Sequence, residues 1–332
     1  MRTEVLPLDP ANPDIGVLGR AASVLRGGGL IAFPTETVYG LGANAKDAAA
    51  VARIFEAKGR PATNPVIVHV AEANEILNVG ENLPETGKIL AQRFWPGPLT
   101  LVLPKRADIP PTVTANGPTV AVRCPSHPVA RELIRAAGVP VAAPSANRST
   151  ELSPTRAEHV LASLNGRIDM ILDGGPCPGG LESTVVDVTG PRPLVLRHGL
   201  IDVPMLEAVI GHVEVASESG GVARSPGQMV KHYSPRTKLR LLTGPELMEE
   251  LLRATHAGLK VGTVLFHGRA LVPGTGPHIS LPNEPAAASA LLYDTLFRLD
   301  RAGLDVILVE PPPDEPAWAA VRDRLTRAAH SD

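Results

Sequence analysis

KGRPATNPVIVH, residues Lys58 to His69, joins a helical pattern to a strand and carries two cations in the joint. The pattern from Asp47 to Ala57 predicts a helix with Asp47 as its N-cap and Gly59 as its stop signal. Pro61 and Pro65 stiffen the loop, and the apolar run Val66 to Val70 reads as a strand. Lys58 and Arg60, two residues apart in such a loop, are placed to hold an anion. From this stretch alone a solvated basic turn reads equally well.

Outward from the loop the chain alternates helix and strand. Upstream, Ile15 to Arg26 is helical in spacing and stops at Gly27-Gly28-Gly29, and Leu30–Phe33 reads as a strand running into PTETVYGLGANA. Downstream the pattern gives a helix around Pro84–Phe94, strands at Leu99–Leu103 and Thr119–Arg123, a helix at Pro128–Ala137 and a strand at Val139–Ala143. Thr155 and Glu158 are spaced as a capping box for a helix over Arg156–Leu164. A strand at Ile168–Leu172 precedes the glycine-rich DGGPCPGG, and Ser183–Val188 with Pro193–Arg197 reads as a hairpin. From Leu200 to Arg224 the pattern weakens, and Gly220-Gly221 marks a linker. A second alternation then predicts three parallel strands, ending at Leu242, Phe266 and Val309, with helices over Pro245–Thr255, Pro285–Arg301 and Glu315–Ala328.

A chain of 332 residues is long for one core, so two domains are expected. A net charge of −2 excludes a protein that coats nucleic acid by bulk charge, and 3% aromatic content argues against a base-stacking surface. Two separated cysteines, Cys124 and Cys177, exclude a zinc cluster and a disulfide framework. No apolar run is long enough for a membrane span or a signal core, which predicts a cytoplasmic protein with no membrane partner.

Gly40-Leu41-Gly42-Ala43-Asn44-Ala45 fits the dinucleotide pattern G-x-G-x-x-A. It does not open a helix directly after a strand, and the basic loop stands where the acidic residue belongs, so no nicotinamide or flavin is expected. No phosphate-binding G-x-x-x-x-G-K-[ST] and no zinc-binding H-E-x-x-H occurs. Small polar side chains instead crowd several strand ends: Pro34–Gly40, Ser145-Ala146-Asn147 and Glu182-Ser183-Thr184, with Arg123 and Arg197 closing two apolar runs. One such cluster is ordinary turn chemistry; several on one α/β unit point to a shared polar cleft.

The segments FPTETVYGLGANA, KGRPATNPVIVHV, FWPGPLTLVL, TVAVRCPSHP, AAPSANRSTELSPT, LESTVVDVT and LRHG together resemble the YrdC-like domain of threonylcarbamoyl-AMP synthases. SPGQMVKHYSPRT followed by a small α/β unit is similar to the long, two-domain form of that family. The resemblance implies an α/β fold: a twisted mixed-sheet YrdC-like domain with a basic-lined cleft over residues 1–210, a linker serving as an active-site lid over 211–237, and a smaller Rossmann-like C-terminal domain over 238–332. It implies synthesis of L-threonylcarbamoyl-AMP from L-threonine, bicarbonate or CO2, and ATP with Mg2+, releasing pyrophosphate. The product passes to a tRNA threonylcarbamoyl transfer complex, so stable tRNA binding by this chain is not required.

Carried onto this sequence, the family's K-x-R…S-x-N constellation falls on Lys58, Arg60, Ser145 and Asn147, with Lys58 and Arg60 catalytic. The threonine-binding positions fall on Thr37, His69, Arg123, Ala143 and Ser183. The nucleotide positions fall on Lys58, Arg60, Asn64, Thr119, Ser145, Asn147, Ser153, Arg197 and, from the linker, Tyr233. Arg197-His198-Gly199, Met229-Val230 and Glu315-Pro316-Ala317-Trp318 depart from the family's pattern, the last in the small domain. The chemistry suits the residue types. Fixed cations stabilise charge developing on phosphates, and an arginine can grip a carboxylate with two prongs. Two competing readings are an RNA-binding module, which the acidic balance disfavours, and a carbamoyltransferase, whose zinc-binding segments are missing here.

Overall fold

A computed structural model describes residues 2–216, 233–266 and 276–329. The sequence features at Gly220-Gly221, Arg224, Met229-Val230, Lys231 and His232 lie outside the described residues.

Strand β1 (Glu4–Pro7) precedes helix α1 (Ile15–Arg26), which Asp14 caps by accepting from the Val17 backbone N–H at 3.0 Å. β2 (Ile31–Phe33) and β3 (Gly40–Asn44) bracket the PTETVY turn. Helix α2 (Ala48–Lys58) starts where the Asp47 carboxylate takes the N–H groups of Ala49 and Ala50. It stops at Gly59, whose φ of 60° is the left-handed conformation that suits glycine. β4 (Ile67–His69) follows the loop, then α3 (Glu85–Phe94), β5 (Leu99–Pro104) and β6 (Thr119–Arg123). Next come α4 (Pro128–Ala137), β7 (Val141–Ala142), α5 (Ala157–Leu164) and β8 (Met170–Asp173). β9 (Thr184–Asp187), β10 (Leu194–Arg197), α6 (Val203–Ile210) and β11 (Glu214–Val215) complete the larger unit.

The smaller unit runs β12 (Lys238–Leu241), α7 (Gly244–His256), β13 (Val261–Leu265), β14 (His278–Ser280), α8 (Pro285–Asp300), β15 (Val306–Val309) and α9 (Ala319–Ala329). Its sheet has four strands in the order β12-β15-β13-β14, all parallel, where the sequence pattern gave three. β14 is a three-residue edge strand, too short to show alternation.

The larger sheet is mixed, as expected, in the order β1-β8-β2-β3-β7-β4-β6-β5-β9-β10-β11. Its middle brings β3, β7, β4 and β6 side by side, with β7 antiparallel to both neighbours and β4 parallel to β6. In that register His69 lies opposite Arg123. The GLGANA segment is strand β3, not a helix opening. Its glycines serve sheet packing, since a Cβ on Gly42 would come within 2.7 Å of Phe33 Cε1 and 2.8 Å of Val141 Cγ1.

Two local expectations fail. Thr155 does not cap α5. Helix α5 starts after Arg156 without a side-chain cap, and the buried Thr155 hydroxyl turns to His159 Nδ1 at 3.4 Å. The region after Leu200 also holds helix α6, which Asp202 caps by accepting from the Met205 N–H at 2.8 Å.

Each unit has its own core, with Trp95 in the larger and Trp318 in the smaller. The smaller core continues across the junction to Val38, Leu152 and Leu181 of the larger unit, which pack in one cluster with Leu292 and Tyr293 of α8. Full burial of a leucine contributes roughly 2 kcal/mol, so Leu181 and Leu292 make this a firm seam. At Gly180 the approach is backbone to backbone: with φ at +71°, an added Cβ would meet Ser289 O at 2.3 Å.

Candidate active site

The central strands end at one pocket, an open cleft whose empty space, counted with the solvent at its mouth, is about 480 Å³. Thr37 and Gly40 enter its lining from the approach to β3, Ala143 and Ser145 from the exit of β7, His69 from β4 and Arg123 from β6. Arg60 comes from the α2–β4 loop, Arg197 from the end of β10, and Tyr233 from the segment before the small sheet. Hydrogen bonds hold these strand ends in register. Gly40 bridges to Ser145, Ala143 N–H donates to Ile67 O at 2.8 Å, and Ala146 N–H donates to Tyr39 O at 2.8 Å.

Three buried guanidiniums therefore face a single cavity in a chain of net negative charge. Arg60 is clamped through Nε to Asn64 O at 3.2 Å and through Nη2 to Pro65 O at 2.9 Å. Burial lowers its pKa to about 10, which leaves it charged at neutral pH. Arg197 donates to Ser183 O from both Nε, at 3.1 Å, and Nη2, at 2.9 Å, and Nη2 also reaches Ser183 Oγ at 3.1 Å. Arg123 Nη2 pairs with Glu36 Oε1 at 2.7 Å, and Ser126 N–H steadies the other carboxylate oxygen at 3.0 Å. One of the two prongs expected to grip a carboxylate is thus engaged by the protein itself. The buried Arg123 Nε has no partner, nor does the buried Nδ1 of His69 on the neighbouring strand. Burial, reinforced by the Arg123 charge, pushes His69 down to about 3, so its imidazole is neutral.

Lys58 is not in the lining. Its Nζ is fully buried and donates to Ser145 O at 2.6 Å, to Asn147 O, and at 3.4 Å to Asn147 Oδ1. Burial first, then the Arg60 charge, hold its pKa well below the ordinary lysine value. Asn147 is pinned in turn, donating from Nδ2 to Arg148 O at 3.0 Å and Glu151 O at 2.8 Å. Lys58 and Asn147 therefore shape the loop that presents Ser145. Asn64 stands behind Arg60, and Ser183 lies behind Arg197, sharing a 2.7 Å hydrogen bond with Thr100 Oγ1. Ser153 Oγ donates to Glu182. Thr119 lies four residues before Arg123 on β6, about 13 Å along the strand, away from the central cluster.

Sequence reasoning placed Glu36 and Glu182 in strand-end polar clusters but assigned neither a role, and it missed Tyr293 and Arg324 altogether as parts of the site. Glu36 and Glu182 stand in quoted segments, but nothing local marks them as buried. Arg324 sits in VRDRLTRAA, which reads as an ordinary surface helix. Among the described residues no group of three or more His, Cys, Asp and Glu could hold a metal, and no helix is long and apolar enough to cross a membrane.

A mixed sheet whose central strand ends gather fixed guanidiniums beside unfilled polar atoms is an α/β scaffold with a cationic pocket of the kind enzymes use. Residues 23–199 match the family described as telomere recombination, the Sua5, YciO and YrdC group, and residues 201–330 match the threonylcarbamoyl-AMP synthase C-terminal domain. The chain belongs to the threonylcarbamoyl-AMP synthase family, a family of nucleotidyltransferase-type enzymes, in its two-domain form. It is 44% identical over 324 residues to the threonylcarbamoyl-AMP synthase of Bacillus subtilis, covering 94% of this chain and 92% of that protein. The Pyrococcus abyssi enzyme is 42% identical, with 93% of each chain covered. The crystal structure of Pyrococcus abyssi Sua5 complexed with L-threonine superposes with a TM-score of 0.92 at 39% identity, over 98% of each chain. Escherichia coli YciO matches 61% of this chain and 99% of its own, with a TM-score of 0.56 at 25% identity.

Proposed function

We propose that the pocket makes L-threonylcarbamoyl-AMP from L-threonine, CO2 or bicarbonate, and ATP, the first step in forming N6-threonylcarbamoyladenosine in tRNAs that read codons starting with A. The observation that carries this reading is the pair of buried, unpartnered atoms, Arg123 Nε and His69 Nδ1, on adjacent strands beside two further arginines. Unfilled buried polar atoms are rare, and these two belong to side chains that line the cavity, unlike Ser234 Oγ, which is also buried without a partner. An amino acid placed there satisfies them: its carboxylate takes Arg123 Nε, and His69 Nδ1 meets the threonine hydroxyl or its nitrogen. Thr37, Ala143 and Ser183 complete the threonine side.

Threonine's amine captures CO2 as a carbamate. A carbamate oxygen then attacks the α-phosphorus, the bond from that phosphorus to the β-phosphate's bridging oxygen breaks, and pyrophosphate leaves. Because the carbamate is labile, the protein's main contribution is to hold the reactants together and keep water out. Arg60 and Arg197 face the charge that grows on the phosphates, and their backbone clamps hold them there without reorganisation. Lys58 and Asn147 fix the Ser145 loop, and Asn64 and Ser153 extend the nucleotide side. Mg2+ carried by ATP would neutralise part of the triphosphate charge. Tyr233, from the segment that precedes the small unit at 238–332, covers the nucleotide side of the pocket in the catalytic unit at 1–210. The product goes to the tRNA threonylcarbamoyl transfer complex in the cytoplasm, with no stable tRNA complex of this chain needed.

The test is pyrophosphate release from ATP by the full chain with and without threonine and bicarbonate, with the adenylate product identified by mass spectrometry. Release that needs both additions and yields the threonylcarbamoyl adenylate is expected. Release indifferent to threonine, or none, overturns the reading.

A further inference from the structure

Helix α9 belongs to the small unit, yet one of its side chains packs directly behind the pocket wall. Arg324 is 1% exposed and is among the largest fully buried side chains in the chain. Its Nε donates to Glu182 Oε2 at 2.7 Å, and its Nη2 donates to His198 O at 3.0 Å. Nη1 pairs with the adjacent Asp323 carboxylate, and the guanidinium carbon stands 4.8 Å from the centre of the Tyr233 ring. From α8, the Tyr293 hydroxyl lies 3.3 Å from each oxygen of Glu182. Glu182 and Tyr233 line the cavity. The side chains that fix Glu182 come from more than a hundred residues further along, on the other sheet's helices, and the same Arg324 covers Tyr233.

Glu182 is the odd member of a wall that also holds Arg60, Arg123 and Arg197. A bare carboxylate there would repel a polyphosphate and draw Arg197 towards itself. Burial raises the pKa of Glu182, but the charges of Arg324 and then Arg197 outweigh that and bring it below the ordinary value, so it is ionised at neutral pH. Tyr233 needs support for a separate reason. Its φ is 62°, a left-handed conformation that an aromatic side chain disfavours, and Thr150 beside it is also left-handed, with φ 70°. Ser234 N–H anchors the segment to Thr150 O at 2.9 Å, and the Arg324 guanidinium covers the tyrosine ring from the small-unit side.

We propose that Arg324, seconded by Tyr293, is a positioning residue for the nucleotide side of the pocket. It neutralises Glu182 from the other sheet's helix, leaves Arg197 to the bound anion, and seats Tyr233 against the cavity. This rests on the reading of the pocket as an ATP and threonine site. The small unit thereby supplies part of the active-site wall.

The test compares the full chain with Arg324→Met and with the double variant Arg324→Met/Glu182→Gln, after circular dichroism confirms that each is folded. Removing one partner of a buried pair leaves an uncompensated charge, so Arg324→Met is expected to raise the KM for ATP by about tenfold or more, and that for threonine by less than about twofold. The double variant, lacking that charge, regains about fivefold in kcat/KM for ATP over the single variant. A purely structural arginine would lower the melting temperature and move neither KM in the folded enzyme. Unchanged ATP KM in Arg324→Met, or a double variant no better than the single, overturns the proposal. If Arg324→Met does not fold, Tyr293→Phe decides, because it removes one hydroxyl and keeps the ring. An ATP KM raised about threefold supports the proposal and an unchanged one overturns it. If the unmodified chain releases no threonine-dependent pyrophosphate, the functional reading fails. The positioning role is then read from ATP affinity by calorimetry on the same variants, with the same tenfold and fivefold contrasts deciding it.

Discussion

The pocket has two walls built on opposite principles. The wall formed by β4 and β6 keeps buried valences open, at His69 Nδ1 and Arg123 Nε. On the wall formed by the Lys58–Pro65 loop and the Arg197 strand end, Arg60, Arg197 and Glu182 are all bound to the protein, with Lys58 and Arg324 as struts behind them. On the function proposed above, the contrast separates two tasks. A small substrate with fixed donors and acceptors can complete a hydrogen-bond set, so leaving atoms open gives specificity. A polyphosphate presents diffuse charge, and clamped cations stabilise charge without moving.

Arg60→Ala probes the clamped wall and carries the largest expected effect. It should lower kcat/KM about 100- to 1,000-fold through the ATP terms, with threonine affinity nearly unchanged, as read from initial rates at varied ATP and threonine. A matching loss in threonine affinity would break the division into walls. Arg123→Lys probes the open wall. It should raise the threonine KM about tenfold or more and spare ATP, because a lysine cannot pair with Glu36 and reach the substrate together. Lys58→Met tests whether this lysine is a strut. It strands the Ser145 and Asn147 carbonyls, so thermal unfolding should show a loss of roughly 2–3 kcal/mol, with the folded fraction keeping its threonine affinity.

Acid offers a smaller test, one that does not depend on substrate. His69 and His159 are held neutral in the folded chain, with pKa values near about 3 and about 4, chiefly by burial. Unfolded, they bind protons below about pH 6.5, so acid favours the unfolded chain and stability is lost as pH falls from there towards the folded values. Each should remove about 2 kcal/mol by pH 5. His127 and His198, also lowered by burial, act in the same direction. Melting temperatures that stay level from pH 7 to pH 5 would contradict this. The smallest effect separates substrates: serine, which lacks only a methyl, should be used about tenfold less well than threonine, and valine, which strands a polar atom, worse still.

Much of this was legible in the residues. Asp47 and Gly59 mark the ends of α2 because caps and stops are local chemistry. The mixed sheet followed from alternation, and the strand-end clusters converge because the ends of β3, β7, β4 and β6 lie together. What escaped was short or tertiary. β11 and β14 are too brief for periodicity, and Thr155 spends its hydroxyl on His159, a choice set by burial that spacing cannot show. Lys58 was legible as one of two cations in a loop placed to hold an anion. Its role as a bracket for Ser145 depends on a loop 87 residues away. Arg324 is the extreme case, since nothing in a helix of alternating charge says that one arginine has gone inside.

The two tryptophans fall one to each core, Trp95 packed in the larger and Trp318 edge-on to Phe266 in the smaller, at 5.6 Å between ring centres. The intrinsic fluorescence of the chain is therefore already divided between its two halves. Replacing either indole with phenylalanine turns the other into a private reporter, so ordinary denaturation curves can show whether the halves melt as one body or in succession.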